Sequence, residues 1–589
     1  MNLIVHFGIL NLVKIMNKSK KTGKHLRLLI LAVLIIGICF ALIPLIQSRL
    51  HPVRYIRSAA EKQTVLTPYL IHGEVAEDEF SIPRGAQVTV KKKGDTISVV
   101  EYLDMEIKMP NENLADSLEE VVEIPVVYPR KTTPLFQEKG SVELSDKTAK
   151  KGEALKVLSI SPADLDPVTG EIAWIEVEKD GEPLWIPGTW TETTEELALK
   201  DYGTDIQYNP VYDQVYGEGW SKDAYISQAD LKGSVKKNYE DNPLRSDISA
   251  VHITLENLIR HKNEIIDLKN RTNLNALVVA LKGPDGQLWY DSDVPQDYFN
   301  DPSAPLAHPL MSKEELKDLF TELKQQGFYM IGRMETFEDS ALAFDRPEWA
   351  VTDTRNNPAR YSEDYWVSPY CRKVWEYNGA LAKEFADLGV NEVQFDFCRF
   401  PDGTMNDVEA GRTDLKNTTG ESKVSAIQGF LYYVRTLLEP EHVYAAADLY
   451  AGPVIDHYDY DIGHFYPAIS AAADIICPMM YLDSFDVSSY GYTDLYRDAG
   501  KILETFTAST EKMDQTVPNP ALMRIWLQGY NDTSGERIAQ EINGVRRAGG
   551  EGYMLWTDKG NPEWLKALES GLIAPSDSAE TIQKAEPSS

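Results

Sequence analysis

Cysteine is almost missing from this chain, with four residues in 589. One of them, Cys39, sits inside an apolar run whose "IIGIC" is a poor match to a lipidation signal. That leaves Cys371, Cys398 and Cys477, an odd and sparse set that makes no disulfide framework, so the fold must be held by its core. No CxxC pair, HExxH helix or histidine cluster occurs, which argues against structural zinc and against metal-dependent hydrolysis or deacetylation. No GxGxxG or GxxxxGK turn follows any strand-like run, which weakens a nucleotide-binding sheet. No metal and no cofactor is expected. Basic residues are scarce as well: 59 Lys and Arg stand against 91 Asp and Glu, for a formal charge of −32. Residues 1–60 hold nine of the basic residues and no acidic one, so the remaining body is more acidic still. That balance argues against nucleic acid as a partner of the body.

Long hydrophobic runs are missing with one exception. After the basic segment 1–27 comes "LLILAVLIIGICFALIPLI", Leu28 to Ile46, an uncharged run about long enough to cross a roughly 30 Å hydrocarbon layer. The charge bias predicts a single-pass signal-anchor over 28–46, with the N-terminus cytoplasmic and everything after Arg49 extracytoplasmic. A cleaved signal peptide is the alternative. The expected location is the cytoplasmic membrane, with the membrane engaged through this helix.

With 43% hydrophobic and 10% aromatic residues, a chain of this length fills more than one core. Residues 60–126 and 127–195 carry alternating strand patterns with turn signals at Gly94 and at Asp180-Gly181, the mark of two small all-β barrel modules. "GAQVTV" and "AWIEVEKDGEPLWIPG" resemble bacterial Src-homology-3-like modules, which often bind cell-wall peptides; the plainer reading is a pair of spacers. Residues 196–247, rich in Tyr, Asp and Gly, read as a linker or an irregular packing arm. The tail 573–589 is small and polar and reads as disordered.

From residue 248 the rhythm changes. "ISAVHITLE", "LNALVVALK", "FYMIGRMETF", "VNEVQFDF", "HVYAAADLY", "DIICPMMY", "MRIWLQGY" and "GYMLWTD" are strand-like runs, each followed by a segment of helical character. Eight β-then-α units over 248–572 predict an α/β fold, a (β/α)₈ TIM barrel. Its active face gathers the C-terminal ends of all eight strands. At those ends stand Lys282, Arg333, Glu335, Asp396, Arg399, Asp448, Tyr481, Asp483, Gln528, Trp556 and Asp558. A carboxylate pair with an arginine beside it and aromatic rings nearby is what glycosidic-bond cleavage needs.

The runs "NALVVALKGPDGQLWYDS", "GFYMIGRMETFEDSALAFDRPEWAV", "WVSPYCRKVWEYNGALAKEFADLGVNEVQFDFCRFPDG", "CPMMY", "RIWLQGY" and "GYMLWTD" together resemble the bacterial putative glycosyl hydrolase domain, a family related to α-amylase-like barrels. The resemblance spans about 248–572 and is most specific from Glu392 to Pro401. It implies a carbohydrate-active barrel acting on a polysaccharide or cell-wall glycan. The family usually shows an Asp-x-Lys-Asp run at the second strand, where this chain has Ala280, Leu281, Lys282 and Gly283.

Asp396 is the expected nucleophile or base, Asp448 the expected acid and Asp483 its reserve. Lys282, Arg333, Glu335, Arg399, Tyr481, Gln528 and Trp556 are expected around the substrate, with Arg333 and Lys282 either orienting it or holding Asp396 charged. Each has a plainer role beside it. Asp396 and Arg399 can form an ion pair closing the barrel top, Asp448 can cap a turn, and Tyr481, Trp526 and Trp556 can be core. Glu392 lies four residues before Asp396, roughly 13 Å down the strand, and reads as structural. A catalytically silent glycan-binding or envelope-scaffold protein, which keeps the barrel and loses the acid–base pair, is the alternative to a membrane-tethered hydrolase.

Overall fold

Eight apolar runs become strands because residues buried on both faces leave no polar alternation to interrupt them. In the computed structural model they are β1 (Ser249–Thr254), β2 (Ala276–Lys282), β3 (Tyr329–Glu335), β4 (Glu392–Asp396), β5 (Tyr444–Tyr450), β6 (Ile475–Met479), β7 (Ile525–Gln528) and β8 (Tyr553–Trp556). The structure describes residues 52–57, 68–70 and 82–573, apart from 167, 204–205, 362–363, 486–490, 532–533 and 558–559. The strands pair in parallel in chain order, and β8 returns to β1 through Ala250 opposite Met554. The closed ring is the barrel the eight β-then-α units predict. Its lower interior is filled by Ala250, Val278, Ile331, Ala446, Cys477 and Met554.

Helices follow the strands with clear start signals. Thr254 caps Leu255–Arg271, and Ser312 with Glu315 forms a reciprocal capping box on Lys313–Gln325. Helix Lys423–Leu438 is buried almost all round, from Val424 to Leu438, and a helix apolar on every side needs cover beyond the barrel wall. Part of the cover comes from an antiparallel seven-stranded sheet over Val126–Glu192. Here Phe136 stacks on Tyr433 at 5.9 Å and the Tyr433 hydroxyl donates to Val142 O at 2.7 Å. The Asp180-Gly181 turn joins two strands of this sheet with both residues at positive φ, as a tight hairpin of this composition requires.

Residues 196–247 also pack on this helix. Tyr225, Ile226, Ala229 and Leu231 are buried against Val424 and Phe465, and Asp230 accepts from Arg130 and Tyr432, each at 2.8 Å. A separate six-stranded antiparallel sheet occupies Val53–Ala115, with a core of Ile56, Val88, Val100 and Ile107. The chain divides into two compact units, 1–124 with 160–173, and 125–159 with 174–589. The expected signal-anchor and the disordered tail lie outside the described residues, save Ile573. Among the described residues no helix is long and apolar enough to cross a membrane.

Candidate active site

Barrel register decides which polar side chains meet. Glu335 and Asp396 are paired neighbours at the ends of β3 and β4. Ala447 pairs with Phe395 one step earlier on β5 and β4, which places Asp448 beside Asp396. Asp396 ends β4 abruptly because Phe397 turns to a φ of 47°, a left-handed backbone that a bulky residue holds only under constraint. In that turn the Phe397 N–H donates to Asp396 Oδ1 at 2.7 Å.

Arg333 supplies the counter-charge. Its Nε donates to Asp396 Oδ2 at 3.1 Å and its Nη2 reaches the same oxygen, while Nη1 reaches Glu335 Oε1 at 3.2 Å. Burial works against the guanidinium, but Asp396, Glu335 and Asp448 outweigh it and hold Arg333 firmly charged. Its guanidinium carbon lies 4.7 Å from the centroid of the Trp556 ring.

Asp448 has a different environment. Its Oδ1 accepts from Trp526 Nε1 at 2.7 Å, and its Oδ2 is buried with no hydrogen-bond partner. Burial first, and then the charge of Asp396, push its carboxyl well above the usual carboxylate range; Arg333 and the Trp526 bond pull the other way. Of the two adjacent carboxyls, Asp396 is bonded to an arginine, whereas Asp448 is buried and holds its proton more tightly than an ordinary carboxyl. Glu335 is a third acid in the same cluster. Burial pushes it up to about 7 against the pull of Arg333, and its Oε2 has no partner.

The other expected site residues have partners of their own. Lys282 is wholly buried and paired with Asp339 at 2.8 Å, and it donates to Glu335 O at 2.6 Å. It is therefore a strut at the barrel top, not a substrate contact, because no face of the amine is open. Arg399 does not pair with Asp396; it donates to the Tyr450 hydroxyl at 2.7 Å and lies 3.2 Å from Asp402. Asp483 is exposed and tied down by Gln528 at 2.9 Å, Tyr496 at 2.8 Å and Asn531. Asp483 is thus tied to Gln528, which is buried at the end of β7. Trp556 lies against the His252 ring at 4.1 Å, and Trp526 is core and positions Asp448. Asp558 lies outside the described residues. Tyr481 lines a cleft of about 510 Å³ at the ends of β5 and β6, with Tyr450, Met479, Tyr460 and Phe485. Glu392 grips Arg524 through both oxygens, at 2.9 and 2.8 Å, deep in the barrel.

Sequence reasoning passes over His252 and Glu338. His252 Nδ1 donates to Thr557 O at 2.6 Å, and Nε2 is left unpartnered; burial and Arg333 push it down to about 3. Its one signal is a polar residue inside the apolar run "ISAVHITLE". Glu338 is pushed up to about 9 by burial and then by its hydrogen bond to Asp364, a partner that only the loop after β3 brings near. No group of metal-ligating side chains occurs among the described residues.

Eight parallel strands closed into a ring, with Asp396 and Asp448 side by side on β4 and β5, define the class of (β/α)₈ barrels. The family described as "Putative glycosyl hydrolase domain" matches residues 250–561, more than half of the chain, and the chain belongs to it. The match lies within the barrel and leaves the Src-homology-3-like reading of the N-terminal sheets without support. Among solved structures, a hypothetical protein from Ruminiclostridium thermocellum is 28% identical with a TM-score of 0.29, over 34% of this chain and 96% of that one. The PgaB (BpsB) glycoside hydrolase domain from Bordetella bronchiseptica is 14% identical with a TM-score of 0.40, over 56% and 99%. The alpha-galactosidase TtGalA from Thermus thermophilus is 11% identical with a TM-score of 0.34, over 83% and 91%. No curated protein matches the chain.

Proposed function

We propose that the barrel hydrolyses a glycosidic bond of an extracytoplasmic polysaccharide or cell-wall glycan, with Asp448 as general acid and Asp396 as nucleophile or general base. The observation that carries this reading is the contrast between the neighbours: Arg333 bonds Asp396, whereas Asp448 is buried with Oδ2 free. A protonated Asp448 Oδ2 gives its proton to the leaving glycosidic oxygen as the bond to the anomeric carbon breaks. Asp396 then takes the anomeric carbon itself, or takes a proton from the water that attacks it. The cleft beside Tyr481 holds the sugar. Segment 28–46 anchors the chain in the cytoplasmic membrane, with the barrel outside.

A silent glycan-binding or scaffold protein is the second reading, and Ala280 and Gly283 favour it, since the family's acidic groups are missing there. The test is reducing-end release from a panel of cell-wall and capsular glycans by the wild type and by Asp396→Asn. The hydrolase reading expects the variant to be at least about a hundredfold slower. Equal release by both proteins removes Asp396 from the mechanism, and no release by either leaves the scaffold.

A further inference from the structure

Inward-facing positions of β5 and β6 stack in matched rows. Ala446 pairs with Ile475, Asp448 with Cys477 and Tyr450 with Met479, and alternate residues of a strand share a face. Tyr450 and Met479 therefore stand one row above Asp448, roughly 7 Å further toward the open end of the ring. Trp526 ties the two rows together: it pairs with Met479 in the sheet and donates to Asp448 Oδ1 at 2.7 Å. The cleft of about 510 Å³ that Tyr450, Met479 and Tyr481 line is thus the space above the acid. Burial first, and then the charges of Asp448 and Asp396, push the Tyr481 hydroxyl up, so this ring reaches from the cleft to the carboxyl pair.

The lining of this space is selective. Ala451, Pro453, Met479 and Phe485 give it apolar walls, and no Lys, Arg or His lines it among the described residues. Its carboxylate, Asp456, accepts from the Tyr460 hydroxyl. The Tyr450 hydroxyl accepts from Arg399 Nη2 at 2.7 Å and donates to Asp402 at 3.3 Å. A sugar bearing only hydroxyls presses some of them against Met479 and Phe485 without a partner, which costs affinity. A uronate or phosphate enters without a counter-charge, and an ammonium loses its water against the same walls. An acyl group matches them, because its methyl is apolar and gains by leaving water there.

We propose that this cleft selects a sugar ring carrying an acyl group, an N-acylated hexosamine, and that Met479 and Phe485 determine that specificity. The proposal rests on the glycoside hydrolase reading and names the substrate class of its site. The acyl methyl packs against Met479 and Phe485, the ring lies beside Tyr481, and the glycosidic bond sits one row down at Asp448. Chains of free-amine hexosamines and of uronates are then poor ligands and poor substrates.

The test is calorimetric binding to the full chain carrying Asp396→Asn, with tetra-N-acetylchitotetraose, its fully deacetylated counterpart and tetragalacturonate as probes. The acetylated chain should bind at least about tenfold more tightly than either of the others. Met479→Gln keeps the size of the side chain and makes its end polar, and it should lower that ratio by about fivefold; a general loss of packing lowers all affinities together and leaves the ratio alone. Phe485→Ala, at a half-buried position, should act in the same direction and gives the reading if Met479→Gln fails to fold. Equal binding of the acetylated and deacetylated chains, tighter binding of the deacetylated chain or the galacturonate, no binding of any probe, or an unchanged ratio in both variants each overturns the proposal. The hydrolase reading fails separately, if Asp396→Asn releases reducing ends as fast as wild type, and that result leaves a measured preference for the acylated chain standing.

Discussion

Glu335 permits a direct test of the electrostatics at the barrel top. Burial raises its carboxyl most, Arg333 opposes the rise, Asp396 adds to it and Lys282 pulls against it, and the result is about 7 in place of an ordinary 4.5. The folded chain therefore holds this proton more tightly than the unfolded chain does. Its contribution to stability is fully present below about pH 4.5 and is lost as the pH rises through about 7. At about 1.4 kcal/mol per tenfold change in proton affinity, the swing is roughly 3 kcal/mol. Glu335→Gln keeps the shape and cannot titrate. Its stability relative to wild type should improve by roughly 3 kcal/mol between acid and mildly alkaline pH. The other raised acids nearby, Asp448 and Glu338, titrate in both proteins and largely cancel in the difference. Calorimetric melting of the two full chains across that range is the assay. One kcal/mol moves a 150–250-residue domain by about 2–4 °C, and a larger unit by less, so a few degrees of divergence is expected. A constant offset at every pH would refute the argument that Glu335 is buried and only partly compensated.

Lys282→Met should destabilise the barrel by about 3–5 kcal/mol by leaving Asp339 charged and alone in a dry site, and the double variant with Asp339→Asn should regain much of it in the same melting assay. Trp526→Phe removes the donor that holds the Asp448 carboxyl down, so that carboxyl rises further. The alkaline limb of the pH–rate profile should move upward by up to about one pH unit; a downward move would show that Asp448 is not the acid. Asp396→Asn, already described, tests the other half of the pair through reducing-end release.

The eight barrel strands were legible because strands covered on both faces stand out as short apolar runs between helical segments. Asp396 and Asp448 were legible for a related reason: an acid at the end of such a run has one place to go, the open end of the ring. Their partners were legible only in part, Arg333 as one of two cations that could hold Asp396 charged. Arg399 is close to Asp396 in sequence, yet the turn at Phe397 sends it toward Tyr450, and Arg333 reaches Asp396 because the register of β3 on β4 brings it there. Lys282 finds its counter-ion in a loop far along the chain, a pairing that no local pattern announces. Residues 196–247 carry no helical or strand period, so their burial, fixed by contacts such as Asp230 with Arg130, is written only in three dimensions.

The seven-stranded sheet has a practical consequence for anyone cutting this protein into pieces. Leu144 N donates to Glu376 of a barrel helix at 3.1 Å, and Phe136 and Trp190 lie against Tyr433 and Tyr432. A fragment begun at the first barrel strand would keep every catalytic candidate and still present a bare aromatic flank to water. The compact unit that holds the barrel begins at Pro125, well before the family match at residue 250.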